Sequence, residues 1–81
     1  MKIDFLKSAD KEYRSLSPEL QKRTKKQLSF LAANLHHPSL HAKKYDESRD
    51  IWQGRINDDY RFYFVTEGDT YYIIGITKHP K

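Results

Sequence analysis

The chain has 81 residues, with 15 Lys and Arg against 11 Asp and Glu, a net charge of +4 and a pI near 9.4. That length holds one domain with one modest core, so residues 1–81 are expected to form a single domain with no second one. With no cysteine, a disulfide scaffold, thiol chemistry and thiolate metal sites are excluded, and the cytoplasm is the expected location. No stretch is long and apolar enough to span a bilayer, and the amino terminus MKIDFLKSADKEY does not resemble a signal peptide.

In chain order, Lys2–Phe5 alternates enough for a short strand. Ser8 is a plausible cap, and Asp10 and Glu12 suit the positive end of a first turn, which predicts a short helix over residues 9–16. Ser17-Pro18 then stops one helix and starts the next. From Pro18 to about Leu35 the positions Leu20, Thr24, Leu28, Leu31 and Leu35 recur at helical spacing and predict a buried stripe, while Lys22, Lys25, Lys26 and Ser29 point elsewhere. His36-His37-Pro38 ends that helix, and Ser39–Asp46 reads as a polar, basic connection. The remainder, RDIWQGRINDDYRFYFVTEGDTYYIIGITKHPK, alternates β-branched and aromatic runs with two polar clusters, and predicts three antiparallel strands at about Asp50–Ile56, Tyr60–Thr66 and Thr70–Thr77.

If both loops have about three residues, Ile56 faces Tyr60 and Thr66 faces Thr70. Arg55 then lies across from Arg61, and Arg61 across from Gly75, all on one face. Two adjacent guanidiniums repel unless an acid or an anion joins them, and a glycine inside a strand leaves open space beside its neighbour. Tyr60, Phe62, Phe64, Tyr72, Ile74 and Ile76 share one parity and read as core. Arg55, Arg61, Tyr63, Tyr71, Thr77 and His79 occupy the other, which is too polar to be buried.

Charge is unevenly spread. Residues 1–44 hold ten Lys and Arg against four acids, and residues 45–81 hold five against seven. Between Leu20 and Lys44 there are six basic residues and no acid, a block that favours polyanions, nucleic acid being the commonest. A solvated helix face explains the same block without function. His36, His37 and His41 are close in sequence but lack Cys or carboxylates at ligand spacing, so a basic loop is the better reading and no metal is expected. Three glycines form no phosphate-binding loop, so no nucleotide cofactor is expected either.

The order strand, two helices, antiparallel sheet resembles the RelE/ParE toxins of type II toxin–antitoxin systems, over essentially the whole chain. The sharpest parts are IWQGRINDDYRFYF (Ile51–Phe64), which is similar to the family's Trp-x-x-Arg … Tyr/His-Arg segment, the ending GITKHPK (Gly75–Lys81), and KKY (Lys43–Tyr45). The resemblance implies an α+β RelE-like fold: an amino-terminal strand and two helices packed on one face of a mainly antiparallel four-stranded sheet. It implies a toxin of the RelE/YoeB-like branch that acts as a ribosome-dependent mRNA endonuclease and is held by a cognate antitoxin protein. The alternatives are a ParE-like inhibitor of DNA gyrase without hydrolytic chemistry, or an inactive RNA- or antitoxin-binding relative.

Metal-independent RNA cleavage by 2′-hydroxyl attack needs a base, a cation for the charge developing on the phosphate, and an acid for the leaving 5′-oxygen. Arg61 matches the family's catalytic Arg, and His79 matches the carboxy-terminal His of the YoeB-like branch. Lys43, Lys44, Arg55, Lys78 and Lys81 would hold the RNA backbone. The chain departs from the family in two places: Pro80 follows His79 where YoeB-like proteins end in His-Tyr, and the family's catalytic Glu falls near Lys43. His79, His41 or a Lys of lowered pKa therefore remain candidates for the base.

Overall fold

The computed structural model describes residues 1–79; Pro80 and Lys81 lie outside the described residues. The elements are strand β1 (Lys2–Phe5), helices α1 (Lys7–Arg14) and α2 (Pro18–Ala33), a 3-10 turn (Pro38–Leu40), and strands β2 (Lys43–Asp46), β3 (Ile51–Arg55), β4 (Tyr60–Glu67) and β5 (Thr70–Lys78). The strands form one mixed sheet in the order β1-β5-β4-β3-β2, in which only the β1–β5 pairing is parallel. The α+β class is as expected, with one correction: the sheet has five strands and not four. The extra one is β2, inside the stretch read as a polar connection. Its four residues KKYD carry no apolar alternation, and only pairing with β3 reveals them as a strand.

Helix α2 starts as its sequence dictates. The Ser17 side chain accepts the Leu20 amide and Pro18 fills the first turn, where a missing N–H costs nothing. The helix stops at Ala33, two residues short of Leu35, and Leu35 and Leu20 are only half-buried. Thr24, Gln27, Leu28 and Leu31 form its buried stripe. Helix α1 begins earlier than expected, with Leu6 at its N-cap and no side-chain cap there. Ser8 instead donates to the Ile74 carbonyl at 3.3 Å.

The core is Ala9, Leu28, Leu31, Leu40, Ile56, Phe62, Phe64, Tyr71, Ile73 and Ile76. Gly54 belongs to this packing: a Cβ there would stand 2.3 Å from the Phe62 ring, so Phe62 occupies the place of the absent side chain. In β5 the expected core parity is corrected. Tyr71 and Ile73 are buried, while Tyr72 and Ile74 are only half-buried. Two features account for this. The β4–β5 turn has two residues, Gly68 and Asp69, with Glu67 opposite Thr70 and Gly68 at φ 61°. Further along, Phe64 pairs with Ile73 but Tyr63 pairs with Gly75, which makes Ile74 the extra residue of a β-bulge. Arg61 consequently lies opposite Thr77, not Gly75, and Gly75 lies opposite Tyr63.

Past residue 73, β5 runs beyond its pairing with β1. Helix α1 covers that stretch: besides the Ser8 bond, Glu12 Oε1 accepts the Ile76 amide at 3.1 Å. A sheet edge covered in this way offers no template for a further strand. Leu31→Ala is expected to cost about 2–5 kcal/mol in denaturant unfolding, because Leu31 is 1% exposed and its removal leaves a cavity. Glu12→Ala is expected to speed hydrogen exchange at the Ile76 amide while leaving the amides of Phe62 and Phe64 protected.

Candidate functional site

The face of the sheet away from the buried phenylalanines carries a basin of about 230 Å³ lined by His41, Lys43, Gln53, Arg55, Arg61 and His79. These residues come from four segments, and the hairpin register decides their meeting. Arg55 pairs with Arg61 across β3–β4, and Lys43 pairs with Gln53 across β2–β3. Side chains alternate along each strand, so these four share the open face.

The loop between β3 and β4 holds the two guanidiniums in place. Asn57 Oδ1 accepts the amides of Asp59 and Tyr60, both at 2.8 Å, which closes the turn. The Asn57 carbonyl accepts Arg61 Nη1 at 2.5 Å, and the Tyr60 carbonyl accepts the same nitrogen at 3.0 Å. Asp58 pairs with Arg55. Of the two acids of this loop, Asp58 goes to Arg55, and the hydrogen bonds of Arg61 within the loop run to neutral carbonyl oxygens.

Behind the basin, Gln27 is fully buried and its amide donates to the carbonyls of Arg55 (2.7 Å) and Ser39 (3.0 Å). Arg23 Nε donates to the Ile56 carbonyl at 3.0 Å. Helix α2 therefore fixes the end of β3 and the turn that precedes His41. His41 closes that 3-10 turn in the left-handed region at φ 45°, a conformation for which His is several-fold enriched among non-glycine residues. At the other end, the His79 amide donates to the Asp59 carbonyl at 2.6 Å, tying the chain's last described residue to the same loop.

Of the residues expected at the site, the fold gathers Lys43, Arg55, Arg61 and His79 into the basin. Lys44 does not join them. It lies opposite Trp52, 5.2 Å from that ring, and pairs with Asp50. The hydrogen bond it donates to Asp50 raises its pKa above the ordinary lysine value, against the lowered pKa that a lysine base would need. Lys78, opposite Tyr60, is exposed and outside the basin lining, and Lys81 lies outside the described residues. His41, a candidate for the base, also lines the basin, and Gln53 is the addition. Of the other histidines, His37 is structural: its ring stacks on Phe30 at 3.9 Å and its Nδ1 accepts the Ser39 amide. Among the described residues no group of three or more His, Cys, Asp or Glu is arranged to hold a metal ion.

No protein-family model matches the sequence, and no curated protein does. Solved structures match its fold closely. A YoeB/ParE toxin from Agrobacterium tumefaciens superposes with a TM-score of 0.82 at 14% identity, covering 99% of this chain and 100% of that one. The YoeB dimer from Staphylococcus aureus gives 0.81 at 16% identity, covering 99% and 98%. RelE in the archaeal RelE–RelB complex from Pyrococcus horikoshii gives 0.79 at 16% identity, covering 95% and 92%. The architecture is the RelE/ParE toxin fold.

The Gln27 bridge yields a test. Gln27→Ala leaves two half-buried carbonyls without this donor, and a fully buried loss of that kind costs about 1–3 kcal/mol each. The variant should unfold at lower denaturant, and the amides of residues 39–42 should exchange faster than in the unmodified chain.

Proposed function

We propose that the chain is the toxin of a toxin–antitoxin pair and cleaves messenger RNA on the ribosome. The observation that carries this reading is the basin itself: Arg61, oriented by carbonyl oxygens while Asp58 pairs with Arg55, shares it with two imidazoles, and no acidic residue is in the lining. A cationic hollow of this composition suits a phosphodiester, and the fold it shares with YoeB and RelE toxins supports the same class.

In the proposed reaction one imidazole takes the proton of the ribose 2′-hydroxyl. The 2′-oxygen bonds to phosphorus, the bond from phosphorus to the 5′-oxygen breaks, and the leaving oxygen takes a proton from the second imidazole. The products are a 2′,3′-cyclic phosphate and a 5′-hydroxyl. Histidine suits both transfers because its unperturbed pKa, about 6.5, lies near neutrality. Arg61 offers a planar pair of donors to the phosphate oxygens as charge grows on them. Lys43 draws in the flanking backbone, and Arg55 joins it where a phosphate displaces Asp58. The partner antitoxin, as RelB is for the Pyrococcus horikoshii RelE, would need an acidic or amphipathic segment to cover this basic face.

Arg61→Ala is expected to slow cleavage about a hundred- to thousandfold while weakening ribosome binding far less. Arg61→Lys should recover only part, because an ammonium lacks the paired donor geometry. His79→Gln should cost about a hundredfold or more. Primer-extension mapping of cut sites on a translated message, with ribosome co-sedimentation as the binding control, measures all three. Growth arrest with intact message and falling gyrase activity would overturn this reading in favour of a ParE-like binder.

The geometry also separates two adjacent lysines. Lys43→Ala should lower the slope of log affinity for single-stranded RNA against log salt by about 0.7, the value for one phosphate contact. Lys44→Ala should leave that slope unchanged.

A further inference from the structure

Beside the basin, on the same open face, lies an apolar cleft of about 270 Å³ lined by Tyr45, Ile51, Tyr63, Ile74, Gly75 and Thr77. Resting on the nuclease reading above, we infer that this cleft is a subsite for an unpaired nucleobase of the RNA strand whose phosphate occupies the basin.

Two irregularities build the cleft. In β2 the pairing passes from Lys44 opposite Trp52 to Asp46 opposite Ile51, so Tyr45 is an extra residue; in β5 the extra residue is Ile74. Each bulge sends an apolar side chain into this cleft on the open face, and bulges commonly re-aim side chains beside functional sites. Tyr45 is 62% exposed, and its ring meets that of Tyr63 edge-on at 4.8 Å between centroids. Gly75, opposite Tyr63, keeps the floor open. A Cβ there would lie 3.9 Å from Tyr63 Cδ2 and 3.7 Å from Glu12 Oε1, at ordinary contact distance, so the glycine leaves room that a side chain could fill.

The occupant follows from what adjoins the cleft. Arg61 of the basin pairs with Thr77 of the cleft, and Gln53 of the basin pairs with Tyr63 of the cleft. Tyr63 follows Arg61 by two residues on the same strand face, about 6–7 Å along β4, which is within one nucleotide's reach of a phosphate held by Arg61. No Asp or Glu is among the residues lining either hollow, and the Glu12 carboxylate near Gly75 is engaged by the Ile76 amide. An aromatic platform continuous with a cationic groove is how single-stranded nucleic acid is held: the groove tracks the backbone and a ring receives a base. An acidic protein segment would also suit a cationic basin beside an apolar cleft, but the spacing of Arg61 and Tyr63 matches the step from a phosphate to its own base, and the test below separates the two.

The test uses a 2′-O-methyl RNA pentanucleotide, which cannot be cleaved, alongside versions in which each base in turn is replaced by an abasic unit. Affinities for the wild-type chain are measured at low salt. One abasic position should weaken binding about five- to hundredfold, the range for loss of one stacked base. Tyr45→Ala should bind that abasic strand and the intact strand equally, and Tyr45→Phe should restore the difference. Gly75→Val, which fills the floor without touching Tyr45, should weaken the intact strand more than the abasic one. Arg61→Ala should weaken both strands alike. The inference is overturned if no abasic position matters to the wild type, or if Tyr45→Ala keeps the full difference, as a protein-docking cleft would predict. Cut-site mapping on Arg61→Ala is unaffected by either outcome, so the nuclease reading stands or falls separately.

Discussion

Two arginines face each other across one rung of the β3–β4 hairpin, and much of the open face depends on how that repulsion is absorbed. Like charges directly opposite one another destabilise a sheet. Here three loop residues, Asn57-Asp58-Asp59, supply the remedy while making the turn. The Asn57 side chain closes the loop, the Asn57 backbone carbonyl orients Arg61, and the Asp58 carboxylate neutralises Arg55. The Asp59 carbonyl then receives the His79 amide. One loop thus sets the hairpin register, the orientation of two guanidiniums and the position of the chain's carboxy-terminal histidine.

The second dependence is on β5. Its bulge at Ile74 moves the following residues by one place, so that Ile76 returns to the core and Thr77 faces Arg61. A bulge interrupts regular pairing, and β1 does not extend along this part of β5. Buried or half-buried backbone groups without partners are costly. Helix α1 meets the need with two side chains one turn apart, Ser8 to the Ile74 carbonyl and Glu12 to the Ile76 amide. Packing on one side of the molecule and geometry on the functional side are therefore coupled through a single irregular strand.

The β3–β4 register was legible because a three-residue polar cluster between alternating runs admits few pairings, and Arg55 opposite Arg61 follows from it. The β4–β5 register was not. Glu67-Gly68-Asp69 reads equally as a two- or three-residue turn, and no composition cue marks Ile74 as extra, since Tyr72, Ile74 and Ile76 keep an unbroken apolar alternation. Gln27 was missed because a polar residue is not counted in an apolar stripe, although it falls beside Thr24, Leu28 and Leu31 on one helical face. Lys43 and Lys44 were indistinguishable until β2 was known to be a strand; alternation then sends one to the basin and the other to Trp52. His41 was visible as a candidate base, but only the fold brings it into the same hollow as His79.

The two arginines, equivalent in sequence, are made unequal by their partners. Arg55 is paired with Asp58, so it presents a dipole more than a net charge, and an approaching phosphate would have to compete with a carboxylate already in place. Arg61 is held by two carbonyl oxygens on one nitrogen, which fixes the guanidinium plane. In the proposed reaction, orientation by neutral acceptors would benefit the transition state: the cation is already aimed, so little reorganisation would remain when charge develops on the phosphate. The same loop that keeps a like-charge pair from splitting the hairpin therefore also makes its members unequal: Arg55 is paired with a carboxylate, and Arg61 is held by carbonyl oxygens, as the proposed phosphate site requires.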